Sequence, residues 1–311
     1  MRMYGALELY SRSVSPKLFG NECSFEESAY VVVGAPFDST ATGVPGQRFA
    51  PQRIREVSVE LETFLPDLQI DVERLAVNDA GDLPVLTSVE ALIDILGGVA
   101  REVLSSGKGL IMLGGDHFSS FPVLVEAAGN VDELGVLVFD AHLDLRDEYP
   151  VKCRYSHATV FRRLIEQTKN VYIAYYKPRG WSSEEYEFMR QSPRKLAVLN
   201  TREEVESWVK EHRTVYVSID IDALDPAYAP GTGTPEPIGL APRELVDSLR
   251  AAVLGSEKLL GIDVVEVNPL VDVNNLTSRV AAKILLEALA AMYEARKIGA
   301  CTRTSKHFLN G

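Results

Sequence analysis

The fold is decided by an apolar run that ends in polar residues: Leu-Gly-Val-Leu-Val-Phe at 134–139, followed by Asp-Ala-His-Leu-Asp at 140–144. A continuous apolar run of this length is typical of a strand that is buried on both faces of a parallel sheet. In open parallel sheets, ligands bind beyond the carboxyl ends of the strands. The stretch therefore predicts a parallel sheet with a functional site at its edge.

Similar apolar runs alternate with segments of helical periodicity along the chain. The predicted strands are Tyr30–Val33, Gly109–Leu113, Leu134–Phe139, Val171–Ala174, Thr214–Ile219 and Leu259–Val265. The predicted helices are Ser88–Leu104, Ser119–Ala128, His157–Gln167, Glu203–Lys210, Pro242–Leu254 and Thr277–Arg296. This alternation predicts a three-layer α/β/α fold with a mainly parallel sheet of about eight strands. The Pro- and Gly-rich stretch 227–239 is interpreted as a long loop, so residues 1–311 are expected to form a single domain.

Composition narrows the possible partners. A formal net charge of −12 argues against nucleic acid and is compatible with a small cationic substrate. No apolar run reaches about 18 residues, and the first residues lack a secretory apolar core, which predicts no membrane partner and a cytoplasmic location. Cys23, Cys153 and Cys301 are distant in sequence and have no CxxC spacing. Such sparse cysteines fit a reducing compartment better than a disulfide framework.

Two further segments place metal-ligand types of side chain after a predicted strand. Gly-Gly-Asp-His at 114–117 follows the strand that ends at Leu113, and Ser-Ile-Asp-Ile-Asp at 218–222 continues the strand that begins at Thr214. Alternate residues of an extended chain point to the same side, so Asp-x-Asp and Asp-x-His-x-Asp spacings can direct their side chains to one point. With Asp116 set aside, the candidate ligands are His117, Asp140, His142, Asp144, Asp220 and Asp222.

Four carboxylates and two imidazoles can hold two divalent ions. Burying so many anionic groups would be costly without cations. Oxygen and nitrogen ligands without a thiolate disfavour a structural zinc site and suit manganese, although affinity alone would favour zinc or copper. Two close ions can hold a hydroxide at neutral pH, so hydrolysis is the natural reaction. A lone Asp-x-Asp is often a turn or a helix cap, but three complementary segments favour a metal centre.

The three segments resemble the ureohydrolase family of arginases and agmatinases. The resemblance runs from about Gly34 to Lys283, and the ending Ala-Pro-Gly-Thr-Gly-Thr-Pro-Glu-Pro at 229–237 is similar to agmatinases. Three positions depart from the family pattern: Phe118 replaces Ser, Ala158 replaces Gly, and Ala50 replaces Gly. Further matching segments are Gly-Ala-Pro-Phe-Asp at 34–38, Gly-Gln-Arg-Phe-Ala-Pro-Gln-Arg-Ile-Arg at 46–55 and Asp-Val-Val-Glu-Val-Asn-Pro at 263–269.

The resemblance implies two Mn²⁺ ions per subunit, with Asp140 and Asp220 bridging them. A hydroxide between the ions would attack the guanidinium carbon of the substrate and release urea and an amine. The family also suggests a homo-oligomer, either a trimer or a hexamer. One ion would be held by His117, Asp140, Asp144 and Asp220, and the other by Asp140, His142, Asp220 and Asp222.

Beyond the metal ligands, the resemblance assigns roles to His157, Glu266 and Thr234. The predicted catalytic residues are His157, Glu266 and the metal ligand Asp144. His157 would shuttle a proton to the leaving amine, or else it caps a helix. Glu266 would pair with the substrate guanidinium, since a carboxylate matches its fork of donors; the alternative is a structural salt bridge. Thr234 would help to orient the guanidinium, unless its hydroxyl serves only the turn.

The segment 145–156 is expected to line the outer pocket and to select the substrate. Asp147 or Glu148 could receive a distal ammonium group, unless they belong to a solvated loop. Arg146 could instead bind a carboxylate. Agmatine, which yields putrescine for polyamine biosynthesis, is favoured over aminopropylagmatine, guanidino acids and arginine. The rival hypotheses are hydrolysis of another C–N bond, in a formimino group or an acetylated amine, and a non-catalytic metal-binding paralogue.

Overall fold

A parallel sheet of eight strands forms the centre of the molecule. The computed structural model describes residues 5–301. The strands are β1 (Tyr30–Gly34), β2 (Phe64–Leu65), β3 (Ile70–Asp71), β4 (Val77–Asp82), β5 (Gly109–Leu113), β6 (Leu134–Phe139), β7 (Val171–Tyr176), β8 (Leu196–Leu199), β9 (Thr214–Asp220) and β10 (Lys258–Val265). The central sheet has the order β4-β1-β5-β10-β9-β6-β7-β8, and β2 and β3 form a separate antiparallel hairpin.

Helices cover both faces of this sheet. The α-helices are α1 (Ala6–Tyr10), α2 (Ala50–Ser58), α3 (Val89–Ser105), α4 (Ser120–Gly129), α5 (Val160–Gln167), α6 (Ser183–Gln191), α7 (Arg202–Glu211), α8 (Pro242–Gly255) and α9 (Leu276–Glu294). Short 3-10 helices occur at Leu18–Gly20, Gln47–Phe49, Val72–Arg74, His117–Ser119, His157–Thr159, Ile221–Ala223 and Val273–Asn275. One apolar core joins the sheet to α1, α3, α4 and α5, and the other joins it to α2, α7, α8 and α9.

Successive residues of the buried strands supply the two cores in turn. In β1, Val31 and Val33 lie in the core beneath α3 and α4, whereas Val32 lies in the core beneath α9. This follows from the two-residue period of a strand, which sends neighbouring side chains to opposite faces. Continuous apolar sequence is therefore needed in such strands. The predicted three-layer α/β/α fold is confirmed, and the six predicted strands match observed ones.

Within the central sheet, the sequence pattern missed β4 and β8, which lie at its two edges, and it also missed the short hairpin of β2 and β3. The polar side chains of β4 are satisfied by tertiary partners: Asp79 pairs with the buried Arg55 of α2 at 2.8 Å, and Asn78 donates to the carbonyl of Cys23. Such partners are invisible to a hydropathy pattern. Helices α1, α2 and α6 were also missed; α2 has Pro51 as its second residue, and Glu185 is the one buried residue within α6.

The expectation that the cysteines stay unpaired is wrong for two of them. Cys23 and Cys301 form a disulfide across 278 positions of sequence, and Cys153 is free. Sequence distance misled here because the fold brings both residues beside the 3-10 helix Val72–Arg74, where the amide of Cys301 donates to the carbonyl of Arg74. Among residues 5–301, no helix has both the length and the apolar character needed to cross a membrane.

Candidate metal centre

The predicted metal ligands and Glu266 gather at the carboxyl ends of four neighbouring strands, β5, β10, β9 and β6. The chain passes from β5 to β6 and leaves a gap that β9 and β10 fill later. The strands β1, β4 and β5 therefore lie on one side of this gap, and β6, β7 and β8 lie on the other. In open α/β sheets, a position where the strand order changes in this way is where ligands bind. The strands deliver His117 after β5, Asp140 after β6, Asp220 and Asp222 at the end of β9, and Glu266 after β10.

Two groups of side chains share Asp140. In the first group, His117 Nδ1 lies 3.0 Å from Asp140 Oδ2 and 3.0 Å from Asp144 Oδ2, and Asp220 Oδ2 lies 3.3 Å from the same nitrogen. In the second group, His142 Nδ1 lies 3.0 Å from Asp222 Oδ2 and 3.5 Å from Asp140 Oδ1. Asp140 therefore presents one oxygen to each group, as a bridging ligand must.

Backbone amides orient three of the four carboxylates. The amide of His142 donates to Asp140 Oδ1 at 2.6 Å, that of Ala141 donates to Asp222 Oδ1 at 3.1 Å, and that of Asp222 donates to Asp220 Oδ1 at 2.8 Å. In each case, one oxygen is held by the backbone and the other is directed at a histidine. The short loops after β6 and β9 thus aim the carboxylates before any ion binds.

The ring of His117 is oriented by two residues that sequence analysis did not single out. His117 Nε2 lies 3.1 Å from the hydroxyl of Ser218, which donates to Asp263 Oδ1 at 2.7 Å. Because the Ser218 proton is committed to Asp263, the hydroxyl oxygen accepts from Nε2–H. Nδ1 is then the unprotonated nitrogen available to a metal, an arrangement common around metal-bound histidines. Both residues lie in quoted motifs, and their strands pair Ser218 with Asp263.

The donor set fits two divalent cations. Within residues 5–301, His117 Nδ1, Asp140 Oδ2 and Asp222 Oδ2 are buried without a hydrogen-bond partner, and all three face the centre. At this centre, two sets of side chains lie close enough together to hold an ion: His117, Asp140, Asp144 and Asp140, His142, Asp222. Burial, followed by the charge of neighbouring carboxylates such as Asp140, raises the pKa of Asp220 and Asp222. Oxygen and nitrogen donors of this kind suit manganese.

Two of the acidic residues have positive φ angles. Asp144 has φ 51° and Glu266 has φ 64°, a region that side-chain-bearing residues rarely adopt. The turn at Asp144 lets its carbonyl accept from the amide of Phe161 at 3.2 Å while its carboxylate faces His117. Local backbone strain of this kind is typical of functional sites.

His157 lies beside the centre with one nitrogen committed. Its Nδ1 donates to the carbonyl of Thr40 at 2.7 Å, and its Nε2 lies 3.3 Å from the hydroxyl of Thr42. Thr40 is held in turn by Asp116, which accepts from its amide at 2.9 Å and its hydroxyl at 2.8 Å. Burial lowers the pKa of His157 to about 4. His157 is therefore uncharged at neutral pH.

Glu266 is buried beside the first ligand group. Its Oε1 accepts from the amide of His117 at 2.8 Å, and its Oε2 accepts from Gln47 Nε2 at 3.1 Å. Burial, followed by the nearby Asp116 carboxylate, raises its pKa well above the ordinary value. Within the described residues Glu266 has no cationic partner, so the structural salt bridge considered as its alternative role is absent.

A cavity of about 280 Å³ opens onto the ligands. Of the predicted substrate residues, Thr234 lines it, together with Arg146 and His157. Asp147 does not, because it pairs with Arg163 at 2.6 Å, and Glu148 is exposed and lies outside the lining. The complete lining is Thr42, His142, Asp144, Arg146, Tyr149, His157, Ala158, Gly180, Trp181, Glu185, Thr234 and Glu236.

The departures from the family pattern have different surroundings. Ala158 lines the cavity, where a small side chain leaves room for a ligand. Phe118 is buried and its ring stacks on Phe121 with centroids 5.2 Å apart. Ala50 is buried at the start of α2. Of the three, Ala158 is the one that shapes the observed cavity.

Arg179 is another residue near the site that sequence analysis did not single out. Its guanidinium donates to carbonyl oxygens of two loops, one carrying Asp222 and the other carrying Glu236, at 2.7 and 2.6 Å. It also donates to the carbonyls of Ala223, Leu224 and Pro237. Arg179 lies after β7 and directly before Gly180, whose amide donates a hydrogen bond to the carbonyl of Ala141. It therefore ties the metal-ligand loops to the outer wall of the cavity.

This chain is similar to known proteins in sequence and in fold. The sequence model of the arginase family matches residues 28–291. The chain is 37% identical over 287 residues to the agmatinase of Bacillus anthracis, covering 91% of this chain and 97% of that protein. It is 32% identical over 279 residues to the human mitochondrial guanidino acid hydrolase, covering 84% and 77%. The solved agmatine ureohydrolase of Thermoplasma volcanium matches with a TM-score of 0.80 at 32% identity, covering 92% of this chain and 97% of that one. This chain therefore belongs to the arginase family of ureohydrolases and is an enzyme of that family.

Proposed function

We propose that this enzyme hydrolyses agmatine to putrescine and urea and uses two Mn²⁺ ions per subunit. The observation that carries the proposal is the position of Asp140, whose two oxygens each face a different histidine-containing group. A single ion would need only one of these groups. The agmatinase relatives support agmatine as the substrate.

The residues that would hold the first ion are His117, Asp140, Asp144 and Asp220. Those for the second are Asp140, His142 and Asp222, and we extend Asp220 to this ion as the family pattern suggests. When bound, the ion pair would supply a water molecule activated for hydrolysis at neutral pH.

Glu266 would bind the guanidinium of the substrate. A buried carboxylate without a cationic partner has a raised pKa, and a planar cation would restore the favourable charged state. The amide of His117 and the side chain of Gln47 hold its two oxygens in a defined plane. The substrate would thereby be oriented next to the ligand groups, and Thr234 would contact it from the cavity wall.

His157 would move the proton that the leaving amine needs. Because Nδ1 is committed to the carbonyl of Thr40, Nε2 is the nitrogen that can exchange a proton. His157 begins uncharged at neutral pH, so it would first accept a proton from the attacking water and then donate it to the nitrogen whose bond to carbon breaks. Asp144 contributes as a ligand whose position depends on the turn after β6.

Guanidino acids are the second candidate substrates because Arg146 lines the cavity and could receive a carboxylate. The guanidino acid hydrolase relative supports this alternative. A urea-release assay separates the possibilities: Mn²⁺-loaded protein is given agmatine, aminopropylagmatine, 4-guanidinobutyrate and arginine, together with formimino and acetyl-amine compounds. We expect agmatine to have the highest kcat/KM and to yield equal amounts of urea and putrescine. No turnover of any guanidino compound would instead support a non-catalytic paralogue.

We also propose a single ureohydrolase domain spanning residues 1–311, a cytoplasmic location and a homo-oligomeric state, either a trimer or a hexamer. The single central sheet supports the first of these, and the family resemblance supports the last. The negative net charge is consistent with a cationic substrate and with the absence of nucleic-acid and membrane partners.

A further inference from the structure

We propose that Glu236 is the residue that selects substrates with a distal ammonium group, and so distinguishes agmatine from guanidino compounds that lack one. This inference rests on the proposed function. It replaces Asp147 and Glu148, the residues that the sequence suggested for this role. Three observations support it: the partners of each carboxylate in the cavity, the anchoring of the Glu236 loop, and the aromatic residues in the cavity lining.

Three carboxylates line the cavity, and two of them are already engaged. Asp144 belongs to the ligand group around His117, at 3.0 Å from its Nδ1. Glu185 closes a capping box at the start of α6: its Oε1 accepts from the amide of Leu145 and its Oε2 from the amide and hydroxyl of Ser182. Neither carboxylate is free to bind a substrate cation.

Glu236 differs from both. It is half-buried in the cavity wall, and its carboxylate has no hydrogen-bond or ion-pair partner within residues 5–301. A half-buried carboxylate without a cationic partner is a receptor for a small cation, and the interaction is strengthened by the reduced access of water. A primary ammonium has three donors and can approach such a carboxylate from several directions.

The backbone of the Glu236 loop is fixed relative to the metal ligands. Arg179 donates to the carbonyl of Glu236 at 2.6 Å and to that of Pro237 at 3.0 Å, and the same guanidinium donates to the carbonyl of Asp222 at 2.7 Å. The backbone that carries Glu236 is therefore linked through Arg179 to the backbone of Asp222, a predicted metal ligand, while the Glu236 carboxylate stays unpaired within residues 5–301. Because the loop is anchored, the distance from Glu236 to the metal ligands is fixed, and substrates whose ammonium group reaches Glu236 are favoured.

Aromatic side chains also line the cavity. Tyr149 and Trp181 belong to the same lining as Glu236, and aromatic rings in general attract an ammonium group at their faces. Arg146 lies over the Tyr149 ring at 4.9 Å and is the cation that would favour a carboxylate instead. Arg146 has this ring as a partner, whereas the Glu236 carboxylate has no partner within residues 5–301, so Glu236 is the carboxylate of the cavity lining that is left to receive a cation.

The test compares two substrates that differ only in the ammonium: agmatine and butylguanidine. We expect wild-type enzyme loaded with Mn²⁺ to prefer agmatine by at least about tenfold in kcat/KM. Glu236→Gln should abolish this preference mainly through KM and leave kcat/KM for butylguanidine within about twofold. Glu236→Asp keeps the charge and should retain part of the preference. Glu203→Gln, which removes the same charge from the exposed start of α7, should behave as wild type.

Several outcomes would overturn the inference. They are an unchanged agmatine preference in Glu236→Gln, an equal loss on both substrates, loss of the preference in Glu148→Gln instead, or a wild-type preference for 4-guanidinobutyrate over butylguanidine. Thermal unfolding of each variant shows whether it is folded, and Glu236→Asp carries the test if Glu236→Gln is not. A wild-type enzyme that releases urea from neither compound would contradict the proposed function itself, and the inference with it.

Discussion

His157 donates its Nδ1 hydrogen to the carbonyl oxygen of Thr40 over 2.7 Å. A carbonyl can only accept, so this contact leaves Nε2 as the nitrogen that exchanges protons. Thr40 is itself held by the buried Asp116. A chain of contacts from the start of the His117 segment thus sets the orientation of the histidine on which proton transfer is proposed to depend.

Replacement of His157 should slow the reaction without removing the metal. We expect His157→Gln to lower kcat by about 10²-fold or more, the usual effect of losing a proton-transfer group. Manganese content, measured by elemental analysis, should stay at the wild-type level because His157 is in neither ligand group. Wild-type turnover in this variant would assign His157 a structural role only.

The low pKa of His157 also predicts a pH effect on stability in the metal-free protein. The folded pKa, about 4, lies below the ordinary value of 6.5. Between these two pH values the unfolded chain binds a proton at His157 and the folded protein does not, so stability is lost as pH falls from 6.5 to 4. The loss attributable to His157 is on the order of 3 kcal/mol. Urea unfolding should therefore show a steeper decline for wild type than for His157→Gln; equal slopes would contradict the burial argument.

Loss of Asp140 should disrupt both ligand groups at once. We expect Asp140→Asn to reduce manganese content and to lower activity by more than the roughly 10–100-fold cost of losing an outer partner of a metal ligand. Asp247→Asn, on the partly exposed face of α8, is a matched control and should retain both. If Asp140→Asn kept two manganese ions and wild-type turnover, Asp140 would not be a shared ligand.

Arg179→Lys keeps the positive charge but removes the planar fork of donors that holds two loops together. We expect manganese affinity to fall by about 10–100-fold, as for other outer partners of a metal site, and KM for agmatine to rise. Excess Mn²⁺ should restore kcat but not KM, because the Glu236 loop stays loosened. Arg213→Lys is the control, since Arg213 is exposed and contacts Glu257. If Arg179→Lys had wild-type KM and wild-type metal affinity, the two loops would not depend on the Arg179 guanidinium.

The disulfide predicts a simple thiol count. Under denaturing conditions without a reductant, a thiol reagent should label one cysteine per chain, Cys153, and after reduction it should label all three. Labelling of three thiols before reduction would show that Cys23 and Cys301 are unpaired in the purified protein.

The sequence predicted those parts of the site that depend on local pattern. Apolar runs located the central strands, and the alternation of strand residues located Asp140, His142, Asp220 and Asp222 at their ends. The edge strand β4 was not predicted from the sequence, because its polar side chains are satisfied by partners in other elements, including Arg55 of α2. Hydropathy reports burial of apolar side chains and is silent about such polar pairs.

Contacts between distant segments were the part that sequence reasoning missed. Asp147 was a reasonable cation receptor until the fold placed Arg163 beside it at 2.6 Å. Ser218 and Asp263 were quoted within motifs, but their role required the register of β9 against β10. Glu236 was visible only as part of the agmatinase-like ending, because its lack of a partner depends on everything that surrounds it.

The central claim is tested most directly by anomalous diffraction at the manganese edge from crystals grown with Mn²⁺. The account predicts two peaks per chain. One should lie among His117, Asp140 and Asp144, and the other among Asp140, His142 and Asp222, with Asp140 bound to both ions. A single peak, or density remote from Asp140, would contradict a two-cation centre and the hydrolytic chemistry built on it.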